Sequence, residues 1–445
     1  MPPGDPARSV AFEVLRAVTE RDAYANLVLP GLLRERGLTG RDAALATELA
    51  YGSMRGLGTY DAILAGCVDR PLDVLDPPVR DVLRIGAHQL LGTRIPAHAA
   101  VASAVELARA HVGEGPARLV NAVLRRVSTR SFDEWLDEIA PADPVERLAL
   151  KHSHPAWIAK SMLDALDGDL AQLEQLLIAD NERPEVTLVA RPGRAEVGEL
   201  LQAGARPGRW SPFAAVLAAG DPGAIAAVRE QRAGVQDEGS QLVTAAVVAA
   251  PVADRDERWL DMCAGPGGKA ALLAGLGNER GAALLAVERQ PHRAQLVANA
   301  LREAPGRHMV VAADSTRVLA GAASDRVLLD APCTGLGALR RRPELRWRRL
   351  PSDLPGLRAL QHHLLAAGVD AVRAGGLVAY VTCSPHLAET STVVHDLLRT
   401  RDDVEQVDAR PFLPGVPDIG SGPDVQLWPH RHGTDAMYLA LLRRR

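Results

Sequence analysis

Lysine, cysteine and aromatic residues are what this 445-residue chain has least of: three lysines, four cysteines and 3% Phe, Trp and Tyr. Lys151, Lys160 and Lys269 are the only lysines, and arginine carries the rest of the positive charge, a bias typical of alanine- and arginine-rich chains rather than a sign of function. A formal net charge of −4 excludes a global basic signature, so any nucleic-acid surface has to be a local patch. Cys67, Cys263, Cys333 and Cys383 form no CxxC pair and no Cys/His spacing suited to zinc. No metal is therefore expected, and the thiols are expected to stay reduced in a cytoplasmic protein. No apolar run reaches membrane-spanning length, and Met1-Pro2-Pro3-Gly4-Asp5 lacks the basic-then-apolar pattern of an export signal. A soluble, unexported chain with no membrane partner is the expectation.

With 47% hydrophobic and 24% charged residues the chain is globular, and its length calls for two or three domains. Residues 1–135 read as helices: Val10, Val14, Leu15 and Val18 recur at three and four residues, as do Val79, Val82, Leu83, Ile85 and Leu90, with breaks at Gly37-Leu38-Thr39-Gly40 and Asp76-Pro77-Pro78. Residues 136–232 are mixed, with a helix after His152-Ser153-His154-Pro155 and a strand at Val186-Thr187-Leu188-Val189-Ala190; they read as a small α+β connecting subdomain. Residues 233–445 alternate: strands at 258–262, 283–288, 309–313, 326–330 and 377–382 are separated by helices at 269–276, 291–303, 354–374 and 388–399. That alternation predicts an α/β domain on a doubly wound parallel sheet, with 437–442 as a late edge strand.

The chemistry-bearing residues fall at the ends of these strands. Val327-Leu328-Leu329-Asp330-Ala331-Pro332-Cys333 and Val378-Ala379-Tyr380-Val381-Thr382-Cys383-Ser384 each close an apolar run with a cysteine. Open α/β sheets place ligands outside the carboxyl ends of their strands, so two thiols there suggest thiolate chemistry on a bound substrate. Upstream, Asp261-Met262-Cys263-Ala264-Gly265-Pro266-Gly267-Gly268-Lys269 links a strand to a helix through glycines that let backbone amides approach a ligand. Glu288, about twenty residues on at the next strand's end, is placed for ribose hydroxyls, and Asp314 ends the third strand. A lysine kept in this loop, where arginine serves almost everywhere else, suggests that a compact ammonium is needed.

These motifs together resemble the S-adenosylmethionine-dependent RNA cytosine-C5 methyltransferases, whose motif pair is Asp-Ala-Pro-Cys and Thr-Cys-Ser, here Asp330-Ala331-Pro332-Cys333 and Thr382-Cys383-Ser384. The resemblance implies a Rossmann-like class I methyltransferase domain. It makes Cys383 the nucleophile toward cytosine C6, Asp330 the group that holds the base edge, and Cys333 the helper in releasing the covalent adduct. S-adenosylmethionine would be held by Cys263, Ala264, Gly265, Pro266, Gly267, Gly268 and Lys269, with Glu288, Asp314 and Asp330. Arg293 matches a family position but reads equally as a solvated helix arginine. Two departures stand out: Ala270 follows the lysine where relatives have threonine, and Pro385-His386-Leu387-Ala388-Glu389 replaces a proline followed by two acids. His386 reads as a loop histidine rather than a base for Cys383.

Arg340-Arg341-Arg342-Pro343-Glu344-Leu345-Arg346-Trp347 is a basic run with an aromatic, and its position after Cys333 predicts that Arg340, Arg341, Arg342, Arg346 and Trp347 hold RNA phosphates. In the first domain, Glu48-Leu49-Ala50-Tyr51-Gly52, Ile85-Gly86-Ala87-His88-Gln89-Leu90 and Leu119-Val120-Asn121-Ala122-Val123-Leu124 resemble the NusB-like domain. Ahead of such a catalytic core, and with Val235-Gln236-Asp237-Glu238-Gly239-Ser240-Gln241 between, this is the arrangement of the RsmB/Sun-type methyltransferases of 16S ribosomal RNA. The implied partner is RNA, foremost 16S rRNA, bound by a monomer. Two alternatives stay open: the same reaction on tRNA or another RNA, and a non-catalytic, antitermination-like RNA-binding factor, against which the intact Cys383, Cys333 and Asp330 count.

Overall fold

Apolar residues at three- and four-residue spacing pack the helices Pro6–Arg21, Gly40–Arg55, Pro77–Leu91, Ala97–His111 and Glu114–Val127 around one core, in which Val14, Leu49, Leu83, Ile85 and Leu124 are fully buried. The structure is a computed structural model that describes residues 5–218, 220–318 and 324–445; residues 1–4, part of the stretch read for an export signal, lie outside the described residues. The chain divides into two units, Met1–Glu182 with Leu339–Arg348, and Arg183–Ala338 with Arg349–Arg445. The segment 136–232, read as one connecting subdomain, is split between them. Its helices Phe132–Ile139, Pro144–Lys151, Ala156–Ala165 and Leu170–Ala179 belong to the helical unit, and its strands to the other.

The second unit opens with a small antiparallel sheet, β1 (Val186–Ala190), β2 (Arg206–Pro207), β3 (Ala214–Leu217) and β4 (Ala233–Val235), in the order β2-β3-β1-β4. Its main sheet comprises β5 (Arg258–Asp261), β6 (Ala283–Glu288), β7 (Arg307–Ala312), β8 (Ser324–Asp330), β9 (Val372–Thr382), β10 (Val404–Val407), β11 (Val425–Gln426) and β12 (Tyr438–Arg444). The order is β10-β12-β9-β8-β5-β6-β7, with β11 also on β12. Strands β9, β8, β5, β6 and β7 run parallel, whereas β12 is antiparallel to β9, β10 and β11. The sheet is thus mixed rather than wholly parallel. The late strand is also not an edge, because β10, which the short run Val404-Glu405-Gln406-Val407 hardly announces, covers it. Val327, Leu329, Val378 and Tyr380 are fully buried, as expected of parallel strands covered on both faces. The order reverses at β5, whose neighbours are β6 and β8, and the crevice outside their carboxyl ends is where such sheets take ligands.

The arginine run after Cys333 departs most from its reading. Residues Leu339–Arg348 fold as part of the helical unit. Arg346 is fully buried there. Its guanidinium donates to the Asn181 side chain (2.7 Å) and to the carbonyls of Asp180 (2.7 Å), Ser153 (3.2 Å) and Arg55 (3.3 Å). Trp347 sits against Gly58, where an added Cβ would come within 2.3 Å of the indole. Arg340 is buried as well, while Arg342 is exposed and lies over the Tyr24 ring at 5.1 Å. As phosphate contacts, Arg340 and Arg346 are therefore corrected, while Trp347 is half-buried. The run binds its own helical unit because a guanidinium can serve several converging carbonyls at once. Replacing Arg346 with Ala removes all four of these buried hydrogen bonds at once, and about 3 kcal/mol or more of stability should be lost in denaturant unfolding of the full chain.

Candidate active site

The loop between β5 and the helix Gly268–Glu279 is fastened to both neighbouring strands: the Met262 amide donates to Leu328 O (2.9 Å) and the Ala264 amide to Val287 O (3.0 Å). Glu288, at the end of β6, accepts from the amides of Gly265 (3.1 Å) and Gln290 (2.9 Å). An added Cβ on Gly265 would lie 2.2 Å from the Glu288 carboxylate, so only glycine permits this approach. Arg293 is more than a solvated arginine. It donates to Gly265 O (2.7 Å) and stands 3.7 Å from Glu288, bracing the loop from outside. Asp314 accepts from the hydroxyl and amide of Thr316, contacts that hold its carboxyl below the usual range. The Cys263 thiol is pushed up by burial and by nearby Asp261, so it stays neutral.

Lys269 reaches across to Asp330 at 2.8 Å. Burial alone would lower its pKa, but the Asp330 charge and hydrogen bond outweigh that and keep the ammonium protonated. Behind this pair stands Asp261, 1% exposed, with neither carboxylate oxygen hydrogen-bonded among the described residues. Burial, reinforced by the Asp330 charge, raises its pKa to about 7.

Cys333 and Cys383 meet at an Sγ–Sγ distance of 3.4 Å. The hydrogen bond between them lowers the pKa of Cys383 and raises that of Cys333, and Lys269 adds to the lowering at Cys383 while burial and Asp330 oppose it. Of the two, Cys383 is the thiol that ionises more readily. The Gly337 amide donates to Cys383 O (2.9 Å), and Gly337 O accepts from the Ala436 amide (2.9 Å). An added Cβ there would lie 2.2 Å from Ala436 O, so the close meeting of the two cysteine loops with the start of β12 requires glycine. His386 faces its own turn, where Nδ1 accepts from the Ala388 amide (3.1 Å).

The loop residues Cys263 to Lys269, with Glu288, Arg293, Asp330, Cys333 and Cys383, thus come together at the carboxyl ends of β5, β6, β8 and β9, and Asp314 follows β7. The arginine run joins the helical unit instead. Reading the sequence missed Asp261, which looks like an ordinary strand-end acid, and noted Glu389 without assigning it a role, since nothing local announces its burial.

Two measurements follow from the shifted groups. Below about pH 4 Asp261 is neutral in both folded and unfolded chains. Between about 4 and about 7 only the unfolded chain ionises, so stability falls through that window and is level above it. The interval corresponds to about 4 kcal/mol, and Asp261→Asn should remove the fall, seen as a gain over the parent at pH 8 that is absent at pH 4 in urea unfolding. Alkylation of Cys383 by iodoacetamide should titrate below the ordinary thiol value of 9.0, and Cys333→Ala should move that midpoint up by roughly one pH unit.

Residues 247–443 match the family described as 16S rRNA methyltransferase RsmB/F, and residues 5–129 match the NusB family. A Mycobacterium tuberculosis protein carrying a methyltransferase name is 54% identical, with 99% of this chain and 97% of that protein covered. Ribosomal RNA small subunit methyltransferase B of Shewanella oneidensis is 30% identical over 98% of each chain. Among solved structures, PH0851 superposes with a TM-score of 0.83 at 21% identity, covering 99% of both chains. NSun6 from Pyrococcus horikoshii, solved with SFG, gives 0.56 at 18% identity, covering 65% of this chain and 98% of that one; both likenesses speak to fold. Coverage from end to end by relatives named for small-subunit rRNA methylation, with both family matches in the same order, makes this chain a member of the RsmB/F family of 16S rRNA methyltransferases, with a NusB-family domain at its amino end.

Proposed function

We propose that the chain transfers a methyl group from S-adenosylmethionine to C5 of a cytosine in 16S rRNA, through a covalent bond between Cys383 and cytosine C6. The observation that carries this reading is the thiol pair: two sulfurs 3.4 Å apart, of which Cys383 has its pKa lowered, beside the Lys269–Asp330 ion pair. Cytosine C5 is a poor carbon nucleophile until a thiolate adds at C6. As the Cys383 S–C6 bond forms, the C5=C6 electron pair moves toward the N3 side of the ring, where Asp330 holds the base edge and supports protonation; C5 then bears enamine density. After C5 is alkylated, the Cys383 sulfur is bonded to C6 and no longer holds the Cys333 proton in place; Cys333 gives that proton to water and, as thiolate, takes the C5 proton, the C5–H electron pair reforms the C5=C6 bond, and the S–C6 pair leaves with sulfur, returning Cys383 as thiolate. The target base has to be unstacked first, because neither C5 nor C6 can be attacked inside a paired stack.

The methyl donor fits the residues present. Asp261 offers a buried carboxyl whose oxygens meet no hydrogen-bond donor among the described residues and whose pKa of about 7 lets the positive charge of a donor bearing ammonium and sulfonium centres ionise it, and a Cβ added at Gly268 would meet nothing among the described residues nearer than the Gln236 side chain at 3.8 Å. The loop from Cys263 to Lys269 with Glu288, Arg293, Asp314 and Asp330 would hold it. S-adenosylmethionine supplies an electrophilic methyl on sulfur. The related fold of NSun6 was solved with SFG, an analogue of that donor, which supports the assignment. The NusB-family domain would present the RNA, in the cytoplasm where the ribosome is assembled.

Bisulfite sequencing of total RNA from a strain lacking the protein, against its parent, is expected to lose one 5-methylcytosine in 16S rRNA. Loss in tRNA alone overturns the substrate, and no loss anywhere overturns the reaction. With purified protein, Cys383→Ala should abolish transfer. Cys333→Ala should instead leave a protein–RNA adduct on a denaturing gel, and normal turnover by that variant would refute the division of roles between the thiols.

A further inference from the structure

Glu389 is fully buried, yet its carboxylate touches neither the cysteine sulfurs nor a cation among the described contacts. Its Oε1 accepts from the Thr334 amide (2.8 Å) and from Gln361 Nε2 (3.1 Å). Its Oε2 accepts from the Ser384 hydroxyl (2.7 Å) and from the Thr334 hydroxyl. Thr334 and Ser384 are the residues that directly follow Cys333 and Cys383, and their hydroxyls also meet each other at 3.2 Å. The frame around them is fixed in turn: Gln361 donates to Pro332 O (2.9 Å), Arg349 to Thr334 O (3.0 Å), and the Tyr380 hydroxyl to Glu389 O (2.7 Å).

From this geometry we infer that Glu389 is a positioning residue for the two-thiol reaction: by binding the residues next in chain to both cysteines, its carboxylate sets the approach of Cys333 to Cys383. The inference rests on the reading of the two thiols given above. A buried carboxylate is costly unless its lone pairs are filled, and here donors from three segments fill them, so the arrangement has one geometry. Without the acceptor, the Thr334 amide and one of the two hydroxyls, which can otherwise bond only each other, become buried donors lacking this partner, and the loops gain by moving apart to find others. Attack on C6 needs one sulfur in place. Release needs both thiols on one ring, and a misplacement of about 1 Å can cost about a hundredfold. Loss of Glu389 should therefore slow release more than attack, and adduct should accumulate.

The test uses the full chain, with Glu389→Ala, Glu389→Gln and, for the case that the first does not fold, Thr334→Val, which removes one hydroxyl donor. Without RNA, diamide oxidises a close dithiol to a disulfide, and the rate of Cys333–Cys383 cross-linking per folded molecule reports the approach directly. It should fall roughly tenfold or more in Glu389→Ala and less in the other two. With 16S rRNA and S-adenosylmethionine, the ratio of protein–RNA adduct to released methylated RNA should rise roughly tenfold in Glu389→Ala, in the same order across the variants. A purely structural role would lower stability and leave both readouts unchanged. Cross-linking within about twofold of the parent in the folded variants, or slower cross-linking with an unchanged adduct ratio, overturns the inference. Failure of the methylation reading is distinguishable, since the parent would then methylate nothing and Cys333→Ala would form no adduct, while the cross-linking comparison would still decide the role of Glu389.

Discussion

The ion pair between Lys269 and Asp330 is the constraint on which the site depends. The crevice gathers acidic groups at the ends of adjacent strands, Asp261 on β5, Glu288 on β6 and Asp330 on β8, and then asks a thiol to ionise among them. Of the acids around it, Asp330 and Asp435 raise the cost of that negative sulfur. The hydrogen bond with Cys333 is the larger offset, and a single ammonium, held charged by Asp330 against the effect of burial, adds to it. Asp261 resolves the remaining crowding in another way, by keeping its proton to about pH 7. That the chain retains lysine here and almost nowhere else follows from the same geometry. An ammonium is a compact point charge, whereas a guanidinium is a wide planar fork suited to carbonyl clusters such as the one around Arg346.

The catalytic strands were legible because covered parallel strands read as short unbroken apolar runs, and their ends were marked by Asp, Cys and Gly at recognisable spacings. The Cys263 to Lys269 loop, Glu288 and the two cysteines lie at neighbouring strand ends for that reason. The antiparallel strand β10 was not legible, since Val404-Glu405-Gln406-Val407 carries only two apolar residues and gains its place from pairing with β12. The extent of the helical unit was also hidden. Helices near residues 144–179 resemble those of a separate subdomain in sequence, and only tertiary packing assigns them.

The arginine run shows why charge patterning misleads locally. Runs of Arg are usually solvated, and one beside a cysteine motif invites an RNA reading, but burial depends on what the run meets. Here it meets carbonyl groups at the ends of helices, which have no intrahelical partner and accept from a guanidinium as well as from water. Glu389 is the converse case. Five residues beyond Ser384, it looks like an exposed turn acid, and its importance arises only when two distant loops bring Thr334 and Ser384 to the same carboxylate.

The excursion of Leu339–Arg348 also bears on how such a protein can be built and rebuilt. Most two-domain enzymes join their parts once, so that either part can be cut away or exchanged by breaking one linker. In this chain the polypeptide leaves the loop that follows Cys333, completes the packing of the other unit, and returns at Arg349, whose guanidinium holds Thr334 O. The two units therefore share three chain crossings. Exchanging the helical unit for another would have to replace ten residues embedded in the middle of the second unit's sequence as well as the amino-terminal stretch, so no single cut in the chain separates the two.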